Sequence, residues 1–285
     1  MAVEEWVRDI GPARFQRFAS IVHGLFGDAS QSAAPSATPQ FFPTWHWLFT
    51  HETPVGARLA LDGHPQARPD GVPADFTQRL WAGSEISLGE PPDPASSLTF
   101  RRSTEPARLK SGRSGELAFV PQTLEVLQGE RIVVTERRTG VYRRPGARAQ
   151  ERAREAQAPW RAQAGVISRE IRPDEITLFQ YSALLGVSHR IHYDLAYTRQ
   201  VEGYRALVIH GPLIAQLLVQ HALASGATPD ATAPLRAVKV QAIAPALLDE
   251  PLLLKAAAAP SGEGVMAWAE DGNRSIKMRV DLSTA

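Results

Sequence analysis

The chain has 285 residues, room for one large domain or two of ordinary size. Hydrophobic residues make up 44% and charged residues 21%, enough for a buried core and too balanced for a disordered chain. The 31 basic and 30 acidic residues are spread evenly over both halves, which argues against a nucleic-acid surface or a polybasic membrane anchor. There is no cysteine, so disulfides, thiolate metal sites and a cysteine nucleophile are excluded. No apolar run reaches the roughly 18–20 residues of a membrane span. The acidic start Met1-Ala2-Val3-Glu4-Glu5-Trp6 lacks a basic and then apolar leader pattern, so a cytoplasmic location is expected.

In chain order, the first 27 residues predict a helix, with Phe15, Phe18, Ile21, Val22 and Phe26 at helical spacing. Asp28 to Pro43, rich in Ser, Ala and Pro, reads as a flexible segment. Thr44–Thr50 is a short apolar helix, and Asp62–Asp75, with two glycines and three prolines, is a loop. Strands are predicted over Gln78–Leu88, Glu116–Leu127 and Arg131–Tyr142, the last two joined by a turn at Gln128-Gly129-Glu130. Pro121 places its strand at an edge or a bulge. Arg143–Gly165, with six arginines and one large apolar residue, is a linker with a solvated helix possible over Gln150–Ala158. The chain thus divides into residues 1–145, a linker 146–165, and residues 166–285.

Beyond the linker, Asp174 caps a helix running to about Leu185. Pro212–Ala224 is apolar on nearly all sides, with Pro at its start and Gly226 past its end, so it is expected to be buried all round. Four strands follow at Leu235–Ile243, Pro251–Ala258, Gly264–Ala269 and Ser275–Leu282, with a hairpin turn at Asp271-Gly272-Asn273. One buried helix followed by antiparallel strands suggests a sheet wrapped around a helix. The first half holds the same ingredients in weaker form.

Dinucleotide, phosphate-loop, serine-hydrolase and HExxH zinc signatures are absent. Chemistry concentrates in Tyr181–Pro212, which carries three histidines, an aspartate and three further tyrosines. Ile191 can anchor the loop in the core and hold the next residue, His192. Gly211 precedes the buried helix, so its N–H is an unpaired first-turn donor backed by the helix dipole. A carbonyl oxygen there would be polarised, and a near-neutral imidazole beside it suits proton transfer at the adjacent carbon. His189 and His192 are spaced to chelate if helical, but no second ligand cluster accompanies them, and no metal is expected. His46, between two tryptophans, reads as a packed residue, Trp81 as core, and His221 as a satisfied core or interface residue. Lys110-Ser111-Gly112-Arg113 is either a basic, glycine-containing loop suited to phosphate groups or a solvated hairpin.

The segments Tyr181-Ser182-Ala183-Leu184-Leu185-Gly186-Val187-Ser188-His189-Arg190-Ile191-His192-Tyr193-Asp194 and Val208-Ile209-His210-Gly211-Pro212-Leu213, with Trp45-His46-Trp47 and Asp62-Gly63-His64-Pro65 upstream, resemble the MaoC-like hydratases. The closer resemblance is to type 2 hydroxyacyl-thioester dehydratases and mesaconyl-C4-CoA hydratases, with itaconyl-CoA hydratases as relatives. It implies an α+β double hotdog, two antiparallel sheets each wrapped around a central helix. Residues 1–145 would form a hotdog-like dehydratase domain and 166–285 the MaoC-like hotdog carrying the motif. It also implies a hydro-lyase acting reversibly on an enoyl-CoA thioester, with no cofactor or metal, and it allows a homodimer.

On this resemblance the catalytic histidine of the motif falls on His192 and the oxyanion donor on Gly211. The motif's aspartate falls on Val187, which cannot transfer a proton, and its asparagine on His189. His189, Tyr193 and Asp194 are then candidates for the second catalytic group. Arg190 is a candidate for a distal substrate carboxylate, with pairing to Asp194 or Glu202 as the alternative. The DGHP loop with His64 is expected to approach the thioester or its CoA arm, or else to serve as a turn; Tyr193 and Asp194 are further candidates for substrate contact. The expected substrate is a short dicarboxylyl-CoA, mesaconyl-C4-CoA or itaconyl-CoA. The alternatives are a 3-hydroxyacyl thioester on carrier protein or CoA, and a non-catalytic thioester-binding role.

Overall fold

A computed structural model describes residues 2–27, 41–50, 58–112, 115–145, 165–227, 234–260, 262 and 264–284. The expected linker core, the Gln150–Ala158 helix and most of the Ser/Pro-rich segment lie outside these residues.

The described residues form one antiparallel sheet of eleven strands. Its order is β1 (Ala2–Arg8), β3 (Leu98–Thr104), β5 (Gly115–Gln128), β6 (Arg131–Arg143), β2 (Gln78–Leu88), β8 (Ala237–Ala242), β11 (Ile276–Ser283), β10 (Val265–Glu270), β9 (Leu252–Ala258) and β7 (Ile167–Ile171). The remaining strand, β4 (Arg108–Gly112), pairs with β5. First-half strands and second-half strands stay on their own sides, and the seam is the β2–β8 ladder. At that seam Gly83 sits at φ +144°, and a Cβ there would lie 2.0 Å from the Val240 carbonyl oxygen, so only glycine lets the two halves close.

The second half wraps α4 (Gly211–Ala224), which packs on β9, β10 and β11. Leu213, Ala215, Leu217, Leu218 and Val219 are all fully buried, as an all-apolar helix requires. Helix α2 (Glu175–Leu185) is capped by Asp174, whose carboxylate accepts from the Thr177 N–H at 2.8 Å. It ends where Gly186 takes φ +67°. In the first half, the buried 3-10 turn Trp45–Phe49 lies against the sheet through Phe49–Phe100 and Trp47–Trp81 ring contacts. Helix α1 (Pro12–Phe26) packs on that turn and on α2.

Three expectations need correction, and one open alternative is decided. The N-terminal helix begins only at Pro12; residues 2–8 form an edge strand, with Trp6 stacked on Phe100 and Glu5 paired with Arg101. Strands β3, β4 and β7 were not anticipated, because they are short and their partners lie far along the chain. The Lys110 segment takes the hairpin alternative, with Lys110 over the Phe119 ring. Pro121 lies inside the sheet. It falls between the stretch of β5 paired with β4 (115–119) and that paired with β3 (122–127), where its missing N–H leaves no ladder bond broken.

Candidate active site

The site is built where three loops meet the start of α4. The segment before α4 is pinned on both sides: Val208 N–H donates to Ile191 O at 2.9 Å, and Ile209 N–H to Ala246 O at 2.9 Å. Ile191 packs with Tyr197 and Val208, so the expected anchor is in place. The next residue, His192, ends a 3-10 turn and is buried. Its Nδ1 lies 2.7 Å from the Val208 carbonyl oxygen. A carbonyl can only accept, so Nδ1 carries the proton and Nε2 keeps its lone pair. Burial lowers His192 to about 4, with the Val208 bond raising it and His64 lowering it. The imidazole is therefore neutral at pH 7, the form that accepts a proton.

The imidazoles form a chain. His192 stacks on His210 with centroids 3.6 Å apart, and His189 meets His192 edge-on at 5.4 Å. His64 lies 4.4 Å from His189. His210 is held by Ser182, Nε2 to Oγ 2.8 Å. The Nε2 of buried His189 has no hydrogen-bond partner among the described residues, so a buried polar atom awaits one. His189 is pushed well below its ordinary value by burial first and then by His64, His192 and Arg79. His64 is lowered to about 4 by burial, against an upward pull from Asp62.

His64 reaches this cluster because Gly63 permits it. Gly63 has φ +87°, and a Cβ would lie 1.8 Å from Ser188 O. The Ser188 hydroxyl donates to Gly63 O at 2.5 Å, and the Arg190 N–H donates to Asp62 O at 2.9 Å. Asp62 accepts the His64 N–H at 3.0 Å and pairs with Arg79 at 2.9 Å. Asp62, His64 and His189 bring donor atoms within 4.8 Å of one another, a set that can hold a divalent ion if Arg79 yields Asp62. A cleft bounded by Asp62, Arg68, Gln78, Arg79, Tyr197 and Glu202 opens beside this turn.

The other candidates stand differently. Arg190 makes two bonds to Asp194, at 2.7 and 3.1 Å, and lies over the Tyr197 ring. That is the pairing expectation, not a guanidinium turned to a ligand. Asp194 is occupied twice, by Arg190 and as the cap of α3 (Leu195–Gln200), accepting from the Tyr197 N–H at 2.9 Å. Tyr193 is exposed, with its hydroxyl on Ser188 O at 3.2 Å. Val187 packs against the main core. His221 bonds Ile167 O at 3.1 Å, as a satisfied core residue would.

Gly211 heads α4, so its N–H belongs to the turn whose donors have no partner within the helix. Its side is covered by Trp81: a Cβ on Gly211 would lie 2.9 Å from Trp81 Cε3. A register shift between Trp81 and Gly83 in β2 accompanies this approach.

A second buried polar cluster was missed by the sequence reading. Glu136, on β6, accepts from Trp47 Nε1 at 2.9 Å and from Ser84 Oγ at 2.5 Å, and lies 2.9 Å from His46 Nε2. Its carboxyl is held well below the usual range by Arg138, His46 and Ser84, against the upward pull of burial. The available signal was alternation: Val134, Glu136 and Arg138 share the face of β6 that points inward.

One continuous antiparallel sheet, wrapped around α4 in the second half and packed on the buried Trp45–Phe49 turn in the first, is the double hotdog architecture. A MaoC-like dehydratase from Phytophthora capsici matches over 99% of this chain and 94% of its own, at TM-score 0.67 and 15% identity. A Mycobacterium tuberculosis protein described as a double hotdog matches over 99% and 95%, at TM-score 0.54 and 12% identity. Residues 44–246 match the family model described as hydroxyacyl-thioester dehydratase type 2, and the chain belongs to that family. It is 36% identical over 198 residues to the mesaconyl-C4-CoA hydratase of Chloroflexus aurantiacus, a match spanning 66% of this chain and 66% of that protein, just under two thirds of the relative's length. Among the described residues, no helix is long and apolar enough to cross a membrane.

Proposed function

We propose that this protein is a hydro-lyase that adds water reversibly across the double bond of an enoyl-CoA-type thioester, with a short dicarboxylyl-CoA such as mesaconyl-C4-CoA as substrate. The observation that carries the reading is the lock of His192 Nδ1 on the Val208 carbonyl, two residues before the His210–Gly211 start of α4. It fixes a neutral imidazole with Nε2 as base next to a helix N-terminus.

In the hydration direction, His192 Nε2 takes a proton from water and the oxygen adds to the β-carbon. The carbon–carbon double-bond pair moves toward the thioester, and the oxygen of its carbonyl gains charge facing the Gly211 N–H. The proton is then returned to the α-carbon, so one water is added overall. Burial makes protonated His192 a strong acid, well suited to that return. His189 is the best-placed partner for the water, since its Nε2 is buried and unpaired and its ring is 5.4 Å from His192. Tyr193 and Asp194 are set aside for that role by exposure and by prior bonding respectively. These steps use only the chain's own groups.

The short substrate is supported by Trp81, whose ring packs directly against Gly211 and limits the room at the proposed carbonyl site. The 36% identity to a protein named mesaconyl-C4-CoA hydratase supports the same class. The test is a hydratase assay on mesaconyl-C4-, itaconyl- and crotonyl-CoA. Preference for a dicarboxylyl thioester is the expected result. Preference for long 3-hydroxyacyl thioesters would favour the fatty-acid dehydratase alternative, and binding without turnover the non-catalytic one.

A further inference from the structure

Resting on the hydratase reading, we propose that Ser84, backed by Glu136, is a positioning residue for the reaction: it locks the indole of Trp81 against Gly211, beside the amide that faces the thioester oxygen. Each link is a contact in the structure. Trp81 Nε1–H donates to Ser84 Oγ at 3.3 Å, and Ser84 Oγ donates to Glu136 Oε1 at 2.5 Å. On the other side of the indole, Cε3 and Cζ3 lie 2.9 and 3.3 Å from where a Gly211 Cβ would stand. Ser84 and Glu136 are buried, which shields these bonds from bulk water. Trp81 is only half-buried, so packing alone does not fix its ring.

The shape of indole makes the tether decisive. Nε1 and Cε3 lie on opposite long edges of the ring system. A half turn about χ2, a torsion with two broad wells, would exchange them and bring the N–H edge toward Gly211. The bond to Ser84 selects one of the two states. Strand β2 makes that bond possible through its irregularity. Trp81 and Ser84 are three residues apart, a spacing that points side chains to opposite faces of a regular strand. The register shift between Trp81 and Gly83 brings them within bonding distance on the same face.

Glu136 sets the direction of the relay. An ionised carboxylate only accepts, so Ser84 gives it the hydroxyl proton and turns a lone pair to Trp81. Trp47 Nε1–H donates to the same carboxylate at 2.9 Å, and Trp47 meets Trp81 edge to face, with centroids 5.6 Å apart. His46 Nε2 at 2.9 Å and Arg138 Nε at 3.4 Å also face this carboxylate. One buried acid therefore holds both indoles, one directly and one through Ser84. The consequence reaches the reaction at Gly211. A flank covered by indole keeps water from the first turn of α4, where an N–H acts on a developing oxyanion more strongly than it would in water.

The test is a double-mutant cycle in the full chain, read as kcat and KM on mesaconyl-C4-CoA and crotonyl-CoA, with folding checked by circular dichroism. Ser84→Ala is expected to lower kcat by about tenfold or more while KM stays within about threefold, because the lost support acts on the transition state. In a Trp81→Phe background, which has no N–H to tether, Ser84→Ala should change kcat by less than about twofold. Equal losses in both backgrounds would make Ser84 a support of the fold alone and overturn the proposal, as would parental kcat in Ser84→Ala. Should Ser84→Ala fold poorly, Trp81→Phe answers by itself: it keeps an aromatic ring, lacks the tether and should show the same fall in kcat. Parental kcat in Trp81→Phe would overturn the proposal. All of these failures leave the hydratase reading standing, whereas a parent protein inactive on every enoyl-CoA overturns that reading and this inference with it.

Discussion

Replacing His192 separates what the imidazole does for the fold from what it does for the reaction. The sequence alone, placing it on a loop facing a pocket, predicts little change in stability for His192→Ala. The structure predicts a measurable loss. The ring is buried, its Nδ1–H satisfies the Val208 carbonyl at 2.7 Å, and its face stacks on His210 at 3.6 Å. Leaving a buried carbonyl unpaired costs about 1–3 kcal/mol, and losing the stacked ring about 0.5–1.5 kcal/mol. The sum is about 1.5–4.5 kcal/mol, readable as a lower urea midpoint. Turnover should fall by roughly 10²–10⁴-fold, the range for one positioned proton-transfer group. His192→Asn makes the distinction sharp, because its amide N–H can replace Nδ1–H while nothing replaces Nε2. It should recover about half or more of the lost stability and none of the turnover. Near-normal turnover in His192→Asn, or His192→Ala as stable as the parent, would refute the reasoning.

Three further outcomes are expected. Burial holds His192 at about 4 in the folded chain against about 6.5 when unfolded, so between those values the unfolded chain binds the extra proton and stability falls as pH falls. At pH 4.5 His192 alone should cost about 2–3 kcal/mol relative to pH 8, a dependence absent in His192→Asn, and the acid limb of kcat/KM should lie near pH 4 rather than 6.5. Gly63→Ala should destabilise by about 2–3 kcal/mol and cut activity, since its Cβ would strike Ser188 O; Gly115→Ala, at the same φ of +87° with open space around it, should cost less and spare activity. Arg190→Lys should weaken turnover on mesaconyl-C4- and crotonyl-CoA alike, because the lost contacts are those to Asp194; a selective loss on the dicarboxylyl thioester would instead give Arg190 a carboxylate-binding role.

What the sequence determined by itself was whatever short stretches encode. An apolar pattern all round Pro212–Ala224 can only be buried, and Asp174 three residues before Thr177 can only cap, so α4 and α2 were legible. Alternation revealed β2, β5, β6 and the four C-terminal strands, and the 181–212 stretch announced its chemistry by crowding histidines beside a helix start. Tertiary structure alone decided the rest, because the deciding contacts join distant residues. His46 meets Glu136 across 90 positions and Ser188 meets Gly63 across 125. A strand such as β1 exists only because β3 offers it a partner. The depth of His192, its stack on His210, and the approach of Trp81 to Gly211 all follow from how the two half-sheets close on each other beside α4. That closure is fixed by long-range burial and the β2–β8 seam, which no local window of the sequence contains.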